Sequence, residues 1–446
     1  MSMEKFVVER SEAEIIRKHP SWVLVYGRRK TGKTFMLKNF LNWKTYITVS
    51  RGLNILVEEK GRETKIVELR KLPSIVDESL RRNEVVVVDE FQRLPEDFWD
   101  IFASYHPKGK LILAGSSLSI VEKVFSRRSP LLGLLLPVRI DLVKPSDVLR
   151  SLISMGLSSR EAVEWGVIVR DPWIIPHVNL RGNVQSQIAK LLPLLVESSI
   201  SLIGEVFRDE ERLLTKTYEA ILYAIASGSW RLEEVAREIY QKGIIEYPRL
   251  EYASSYVDRL VKMGLVERIP LYKSRARIYL KLRSHLMSIA LGIGEKTGLT
   301  EYLQPVFNVE EAVRSMYGLE LQFFIGEALA EAKNLRRAYT ILPKDRGDID
   351  VVLLDRKNRP VMAIEVKSSA PKKSDAESLR EEARQIGVFE TAIFTLKEVA
   401  KQELFGVEII TPRKLIDMLK QSRTEKERRT VGFYKDEIGR IRKIEK

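Results

Sequence analysis

The chain has 446 residues, 44% of them hydrophobic and 30% charged, and a formal net charge of +14. That length implies two to four domains, each able to bury its own core. The absence of Cys excludes disulfides and thiolate zinc sites, and the longest apolar run, Leu131 to Val138, is too short to span a bilayer. The positive balance points to an anionic partner, most simply nucleic acid, with a generally basic solvated surface as the alternative. Met1 to Lys5 has no apolar stretch behind it and does not read as a signal peptide, so a cytoplasmic protein with no membrane contact is expected.

Ser11 to Lys18 reads as a short helix, and Trp22 to Tyr26 as a buried strand. The strand runs into Gly27-Arg28-Arg29-Lys30-Thr31-Gly32-Lys33-Thr34, which fits the phosphate-loop pattern G-x-x-x-x-G-K-[ST]. Phe35 to Leu41 reads as the helix that leaves it. The two glycines let backbone N–H groups face the phosphates, and the helix N-terminus adds positive potential. The stretch Gly27 to Phe35 is therefore expected to hold ATP, with Lys33 at the phosphates and the Thr34 hydroxyl on Mg²⁺. Thr45 to Val49 is a second strand, and Glu59 to Arg82 is expected to be helical, most clearly at Leu72 to Leu80.

Glu84 to Glu90 contains four consecutive Val, the mark of a central parallel strand buried on both faces. Carboxylates at its end sit where α/β sheets place their chemistry. Asp89 is expected to hold Mg²⁺ through water, and Glu90 to act as the base for the attacking water. Lys110 to Ser117 is the next buried strand. Ser116 is the candidate γ-phosphate sensor, with Ser117 beside it as the residue it could be confused with. No Asn-Lys-x-Asp guanine signature is present, which favours ATP over GTP.

Gly27 to Thr34, Val88 to Leu94 and Leu113 to Ser119 together resemble the archaeal P-loop ATPases of the STAND class, relatives of AAA+ proteins. Ser129-Pro130-Leu131-Leu132-Gly133 also resembles the family, but Leu134 to Leu136 follow where the family continues with arginine. Arg127, Arg128 or Arg139 would have to replace it as arginine finger. The resemblance implies a helical lid after the ATPase core. Ser146 to Met155, closed by Gly156, and Ser158 to Val169 read as its first helices, and Val184 to Ser198 as a further one. Three helices follow, Thr217 to Ser227, Leu232 to Tyr240 and Ala253 to Met263. A hairpin from Leu265 to Leu280 around Lys273-Ser274-Arg275 completes the order of a winged helix-turn-helix. Ser254, Ser255, Tyr256, Arg259, Lys262, Lys273, Arg275 and Arg277 are the DNA-contact candidates. A docking module is the alternative.

Near the end, Gly347 to Leu354 is a strand opened by acids, and Pro360 to Lys367 is a second one. Asp350 on the first, with Glu365 and Lys367 sharing a face of the second, would form one cluster. Two carboxylates bind Mg²⁺ at a phosphodiester, and the lysine assists the attack. Ile349-Asp350 and Glu365-Val366-Lys367 resemble the PD-(D/E)xK nuclease superfamily. A helix at Ser374 to Ile386 and strands at Thr391 to Thr395 and Val407 to Ile410 would complete its core. That superfamily often adds a Glu from the preceding helix. Glu320 and Glu327 are available, but Gln322 occupies the best-aligned position.

The expectation is an α/β multidomain chain. It comprises a P-loop core (1–145), helical lid (146–212), winged helix-turn-helix (213–285), linker (286–310), nuclease-like domain (311–420) and charged tail (421–446), frayed or disordered. ATP and Mg²⁺ are the expected cofactors and DNA the first partner; a homo-oligomer is compatible with this reading. Three readings remain: an ATPase coupled to a metal-dependent nuclease, a regulatory ATPase with a silent binding or docking domain, or a transcription regulator in which ATP controls the winged helix.

Overall fold

The computed structural model describes residues 7–52, 54–116, 118–210, 215–247, 249–272, 277–299, 309–341, 348–400, 402–430, 433–435 and 441–443. The first third is a seven-stranded sheet with helices on both faces. Its elements are α1 (Ser11–Lys18), β1 (Trp22–Tyr26), α2 (Lys33–Phe40), β2 (Thr45–Val49), β3 (Asn54–Glu59), β4 (Lys65–Glu68), α3 (Leu72–Arg81), β5 (Val85–Asp89), α4 (Asp97–Tyr105), β6 (Lys110–Gly115), α5 (Leu118–Val124) and β7 (Leu135–Arg139). The strand order is β4-β3-β2-β5-β6-β1-β7. The five strands from β2 to β7 in that order are parallel, whereas β3 and β4 add an antiparallel edge.

The sequence accounts for this layering. Val23, Val25, Val87 and Ile112 pack against Met36 and Leu37 of α2 on one face. Leu24, Val86, Val88 and Leu113 pack against Leu72, Val76, Trp99 and Phe102 on the other. Strands buried on both faces carry runs of β-branched residues without alternation. Within Glu59 to Arg82, α3 occupies the stretch where a helix is clearest in the sequence, and the edge strand β4 precedes it, which the sequence reading does not include. Edge strand β4 is polar except for Ile66 and Val67, and Ile66 is 72% exposed, so no buried face announces it.

The middle of the chain is helical: α6 (Pro145–Ser154), α7 (Ser159–Val169), α8 (Val184–Glu210), α9 (Thr215–Ser227), α10 (Leu232–Gln241) and α11 (Leu250–Lys262). A two-stranded antiparallel hairpin follows, β8 (Val266–Pro270) with β9 (Ile278–Leu282). Ser158 closes a capping box with Glu161 at the start of α7. Residues 273–276, including candidates Lys273 and Arg275, lie outside the described residues, as does Ser117.

The expected linker at 286–310 is also corrected. Its first half is α12 (His285–Thr297), a helix with buried residues on all sides that packs among α8, α9 and the next helix, α13 (Val309–Lys333). A helix apolar all round is one buried in a core. The last part is a second sheet, ordered β10-β11-β12-β13-β15-β14. Its strands are β10 (Arg336–Ile341), β11 (Asp348–Leu354), β12 (Pro360–Lys367), β13 (Glu390–Thr395), β14 (Glu403–Leu404) and β15 (Val407–Ile410). α13 packs on one face and α14 (Lys373–Gln385) on the other. The charged tail begins inside a helix: α15 runs from Pro412 to Thr430, and β16 (Phe433–Lys435) pairs with β17 (Ile441–Lys443). Among the described residues no helix is long and apolar enough to cross a membrane.

Candidate nucleotide and metal sites

The loop between β1 and α2 is shaped by its glycines. Gly27 has φ +151°, and a Cβ there would lie 2.0 Å from the Ile140 carbonyl oxygen. Gly32, at φ +86°, caps α2 in the left-handed region. Lys33 opens the helix and turns its ammonium inward, donating to the carbonyls of Gly27 and Arg28 at 2.7 Å each. Burial pushes its pKa down to about 8. A phosphate arriving at the loop would offer that ammonium a stronger partner than two neutral carbonyls. Thr31 donates to the Arg28 carbonyl at 2.9 Å. The side chains of Arg28 and Arg29 turn away: Arg28 pairs with Asp171 at 2.6 Å, and Arg29 with Glu205 at 3.2 Å. Apart from Lys30, what 28–32 can offer a nucleotide is therefore backbone. Lys30, Thr34 and Phe35 are exposed at the mouth.

β5 delivers the acids. Thr34 donates to Asp89 Oδ2 at 2.8 Å, the Tyr46 hydroxyl donates to the same oxygen at 2.5 Å, and the Glu90 N–H donates to Oδ1 at 2.9 Å. The Thr34 proton thus points to Asp89 and its lone pairs outward, as a Mg²⁺ ligand requires. Thr34 and Asp89 fit that ion, which is bound through few protein oxygens and retained waters. Glu90 adopts φ +59°, a left-handed turn at the end of β5. There it accepts from Gln92 Nε2 at 2.7 Å and pairs with Arg93 at 2.9 Å. Gln92 Nε2 also donates to Ser116 Oγ at 3.2 Å, bridging the candidate base and the candidate sensor. Of the three arginines considered as a finger, Arg139 lines the small cavity of about 10 Å³ at the loop, with Gly27, Arg28, Ser116, Val206, Lys262 and Met263. Sequence reasoning assigned no role to Tyr46, Gln92 or Arg93. Gln92 and Arg93 lie two and three residues after Glu90, inside the stretch that carries the resemblance, and could have been suspected; Tyr46 reads only as a strand former.

Among the DNA-contact candidates, Ser255, Arg259, Lys262 and Arg277 are exposed. Lys262 lies 3.4 Å from Glu122 of α5, and Tyr256 packs edge-on against Tyr218.

At the second sheet, Ala338 pairs with Val352 and Thr340 with Ile349, so Tyr339 faces both Asp350 and Val351. This is a β-bulge, which re-aims the side chain it carries. Asp350 is turned toward the end of β12. Its Oδ2 accepts the Val366 N–H at 2.8 Å and its Oδ1 accepts from Gln322 at 2.8 Å. Glu365 pairs with Lys367 at 3.2 Å, and Lys367 reaches Asp375 of α14 at 3.3 Å. Burial, then the charge of Glu365, pushes the Asp350 pKa up to about 7. Burial also raises Glu365. Two carboxylates that resist ionising side by side describe a place short of positive charge. Asp350 lies close enough to Glu365 and Lys367 to be influenced by the charge of both, and Glu365 and Lys367 are in direct contact. Among the described residues no three His, Cys, Asp or Glu gather as a metal site. Two carboxylates suit Mg²⁺, which retains several waters.

Glu320 and Glu327 do not join them. Glu320 is buried against Lys281 and His285, and Glu327 pairs with Arg170 and Arg283. Burial opposes the charge on Glu327, yet the guanidiniums of Arg170, Arg283 and Arg337 hold its pKa well below the usual range. The aligned position belongs to Gln322, as the spacing suggested.

Residues 19–130 match the model of the AAA domain family. That match supports a P-loop ATPase core for this part of the chain. The match covers the loop, Asp89, Glu90 and Ser116 and stops before β7. No curated protein matches the chain. Among solved structures, the Aeropyrum pernix ORC1 protein in complex with DNA is 15% identical, with a TM-score of 0.29, covering 67% of this chain and 95% of that one. The Aeropyrum pernix ORC2 protein, in ADPNP–ADP complexes, is 13% identical with a TM-score of 0.35, covering 71% and 96%. CDC6P from Pyrobaculum aerophilum is 13% identical with a TM-score of 0.24, covering 70% and 93%.

Proposed function

We propose that the chain is an ATP-hydrolysing switch of the STAND class, related to AAA+ proteins, coupled to a metal-dependent nuclease-like domain that acts on nucleic acid, DNA first. The proposed units are the P-loop core, a helical lid (146–212), a winged helix-turn-helix (213–285) and a PD-(D/E)xK-like domain (311–420). The loop backbone and Lys33 hold the phosphates, and Thr34 and Asp89 hold Mg²⁺. Glu90, once released from Gln92 and Arg93, accepts the proton of the attacking water; Ser116 contacts the γ-phosphate and Arg139 offsets its charge. Bound Mg²⁺ would supply charge neutralisation at both sites. At the second site Asp350 and Glu365 hold the ion and Lys367 stands beside the scissile phosphate.

The observation that carries this reading is the proximity of Asp350, Glu365 and Lys367 on a chain that also holds the Lys33–Thr34–Asp89 constellation. Purified protein incubated with duplex, branched and single-stranded DNA, with and without ATP and Mg²⁺ or Mn²⁺, tests it. Divalent-dependent cleavage that Asp350→Ala and Glu365→Ala abolish, with ATP turnover intact, is the expected result. Lys367→Ala should lose cleavage and keep metal binding. Duplex affinity should fall steeply with salt, as counterion release requires. One observation favours a second reading, a regulatory ATPase with a catalytically silent binding domain: Gln322 stands where a third carboxylate would strengthen the metal site. Salt-sensitive binding without cleavage under any metal would select it.

A further inference from the structure

The buried hydroxyl of Tyr46 has no role in the function proposed above. Tyr46 is the second residue of β2, fully buried, and lies on the side of the sheet on which α2 packs. β2 runs parallel to β5, with Tyr46 level with Val87 and Thr48 level with Asp89. The phenol leans along the strand across that two-residue step, about 7 Å, and delivers its hydroxyl to Asp89 Oδ2. Its ring is fixed from two sides. Trp43 meets it edge-on at 5.4 Å, the Lys38 ammonium sits 4.7 Å over its face, and Lys38 is itself tied to Glu58 of β3 at 2.5 Å.

A phenylalanine would fill the same space against the same neighbours. The hydroxyl adds one thing, a second donor to the oxygen that already receives Thr34. With the Glu90 N–H on the other oxygen, three donors from three places hold one carboxylate. Removing the phenolic donor leaves Oδ2 with Thr34 alone, and the carboxylate gains freedom to rotate. The Thr34 hydroxyl would lose its fixed acceptor and with it the fixed direction of its lone pairs.

We propose that Tyr46 is a positioning residue for the divalent ion at the nucleotide site: its hydroxyl locks Asp89, and through Asp89 the Thr34 hydroxyl, in the orientation that receives Mg²⁺. This rests on the reading of the loop as an ATP–Mg²⁺ site. Groups that orient metal ligands from behind are worth about 10–100-fold in metal affinity when removed.

The test is Tyr46→Phe in the full chain. Three measurements are needed: ADP binding in EDTA, Mn²⁺ binding to the ADP complex by electron paramagnetic resonance, and the Mg²⁺ dependence of ATP turnover. The expected result is metal-free ADP affinity within about twofold of the parent, Mn²⁺ affinity lowered about 10–100-fold, and a Mg²⁺ midpoint raised by a similar factor. A general packing defect would instead weaken metal-free ADP binding as well, and that outcome overturns the proposal. Unchanged Mn²⁺ affinity and Mg²⁺ midpoint also overturn it. In an Asp89→Asn background the Tyr46→Phe change should move the midpoint less than about twofold, because its route through the carboxylate is gone. Full additivity there contradicts the mechanism even if Tyr46→Phe alone has the expected effect. A parent protein that binds no nucleotide at all removes the ATP–Mg²⁺ reading itself, an outcome separate from a parent that binds normally with a Tyr46→Phe variant to match.

Discussion

The two acidic centres of this protein are built in opposite ways. Asp89 receives donors from Thr34, Tyr46 and the Glu90 N–H, and Glu90 is held by Gln92 and Arg93. Asp350 and Glu365 stand close enough that the charge of Glu365 helps push Asp350 up to about 7, and Lys367 is shared between Glu365 and Asp375. The first centre holds its carboxylates fixed by hydrogen bonds, ready to orient an ion whose main partner is a phosphate. The second also holds Asp350 with the Val366 N–H and Gln322, but burial pushes both carboxylates toward the neutral form, so a cation is what it would gain most from. Donor-rich acids act by orientation, whereas crowded acids act by attraction.

The largest effect that would sharpen the contrast is at Glu90. Glu90→Gln keeps the shape and loses the base, so ATP turnover should fall roughly 10²–10⁴-fold with nucleotide affinity retained. Normal turnover in steady-state assays would place the base elsewhere. Next comes Lys33→Ala, which removes a charged donor to the phosphates. Such hydrogen bonds are worth about 1.5–3 kcal/mol, so ATP affinity by calorimetry should drop about 10–100-fold. Unchanged affinity would remove the loop assignment.

At the second centre the contrast can be pushed further. Gln322→Glu adds a third acid beside Asp350 Oδ1, and divalent-ion affinity should rise about tenfold, because the charge of the ligand set tunes it. A weaker metal site in that variant would mean that Gln322 is not aimed at the ion.

The smallest effect concerns the buried charges between the two centres. Arg170 NH1 lies 3.1 Å from His285 Nε2, and His285 Nδ1 faces Glu320. A neutral ring that accepts from Arg170 and donates to Glu320 satisfies both neighbours. Burial, then the charge of Lys281, lowers the His285 pKa from 6.5 to about 4. Below 6.5 the unfolded chain takes up a proton that the fold refuses, so stability falls as pH drops from 6.5 toward 4 and is level in this term above 6.5. One group contributes at most about tenfold per pH unit to the unfolding equilibrium. Denaturant midpoints at pH 7 and pH 5 check the sign; His285→Gln should flatten the slope between them.

Much of this was legible in the sequence because its signals are local. The strands Trp22–Tyr26 and Thr45–Val49 are marked by runs of β-branched and aromatic residues, the helix Ser11–Lys18 lies where the sequence reading puts it, and the phosphate loop is a contiguous pattern. The aligned position of Gln322 followed from motif spacing. What escaped depends on register and environment. The bulge that aims Asp350 exists only because β10 has one residue where β11 has two. Tyr46 matters through a strand that pairs with β5, forty residues later. α12, in the expected linker, carries buried residues all round and no one-sided apolar period, so no amphipathic pattern announces it.

The most direct test of the account is the location of bound metal. Crystals of the full chain grown with a non-hydrolysable ATP analogue and Mn²⁺ should give two anomalous peaks. One should lie between Thr34, Asp89 and the nucleotide phosphates, the other between Asp350 and Glu365. A peak at the nucleotide alone, with Asp350 and Glu365 free of metal at saturating Mn²⁺, would contradict the claim that this chain carries two metal centres.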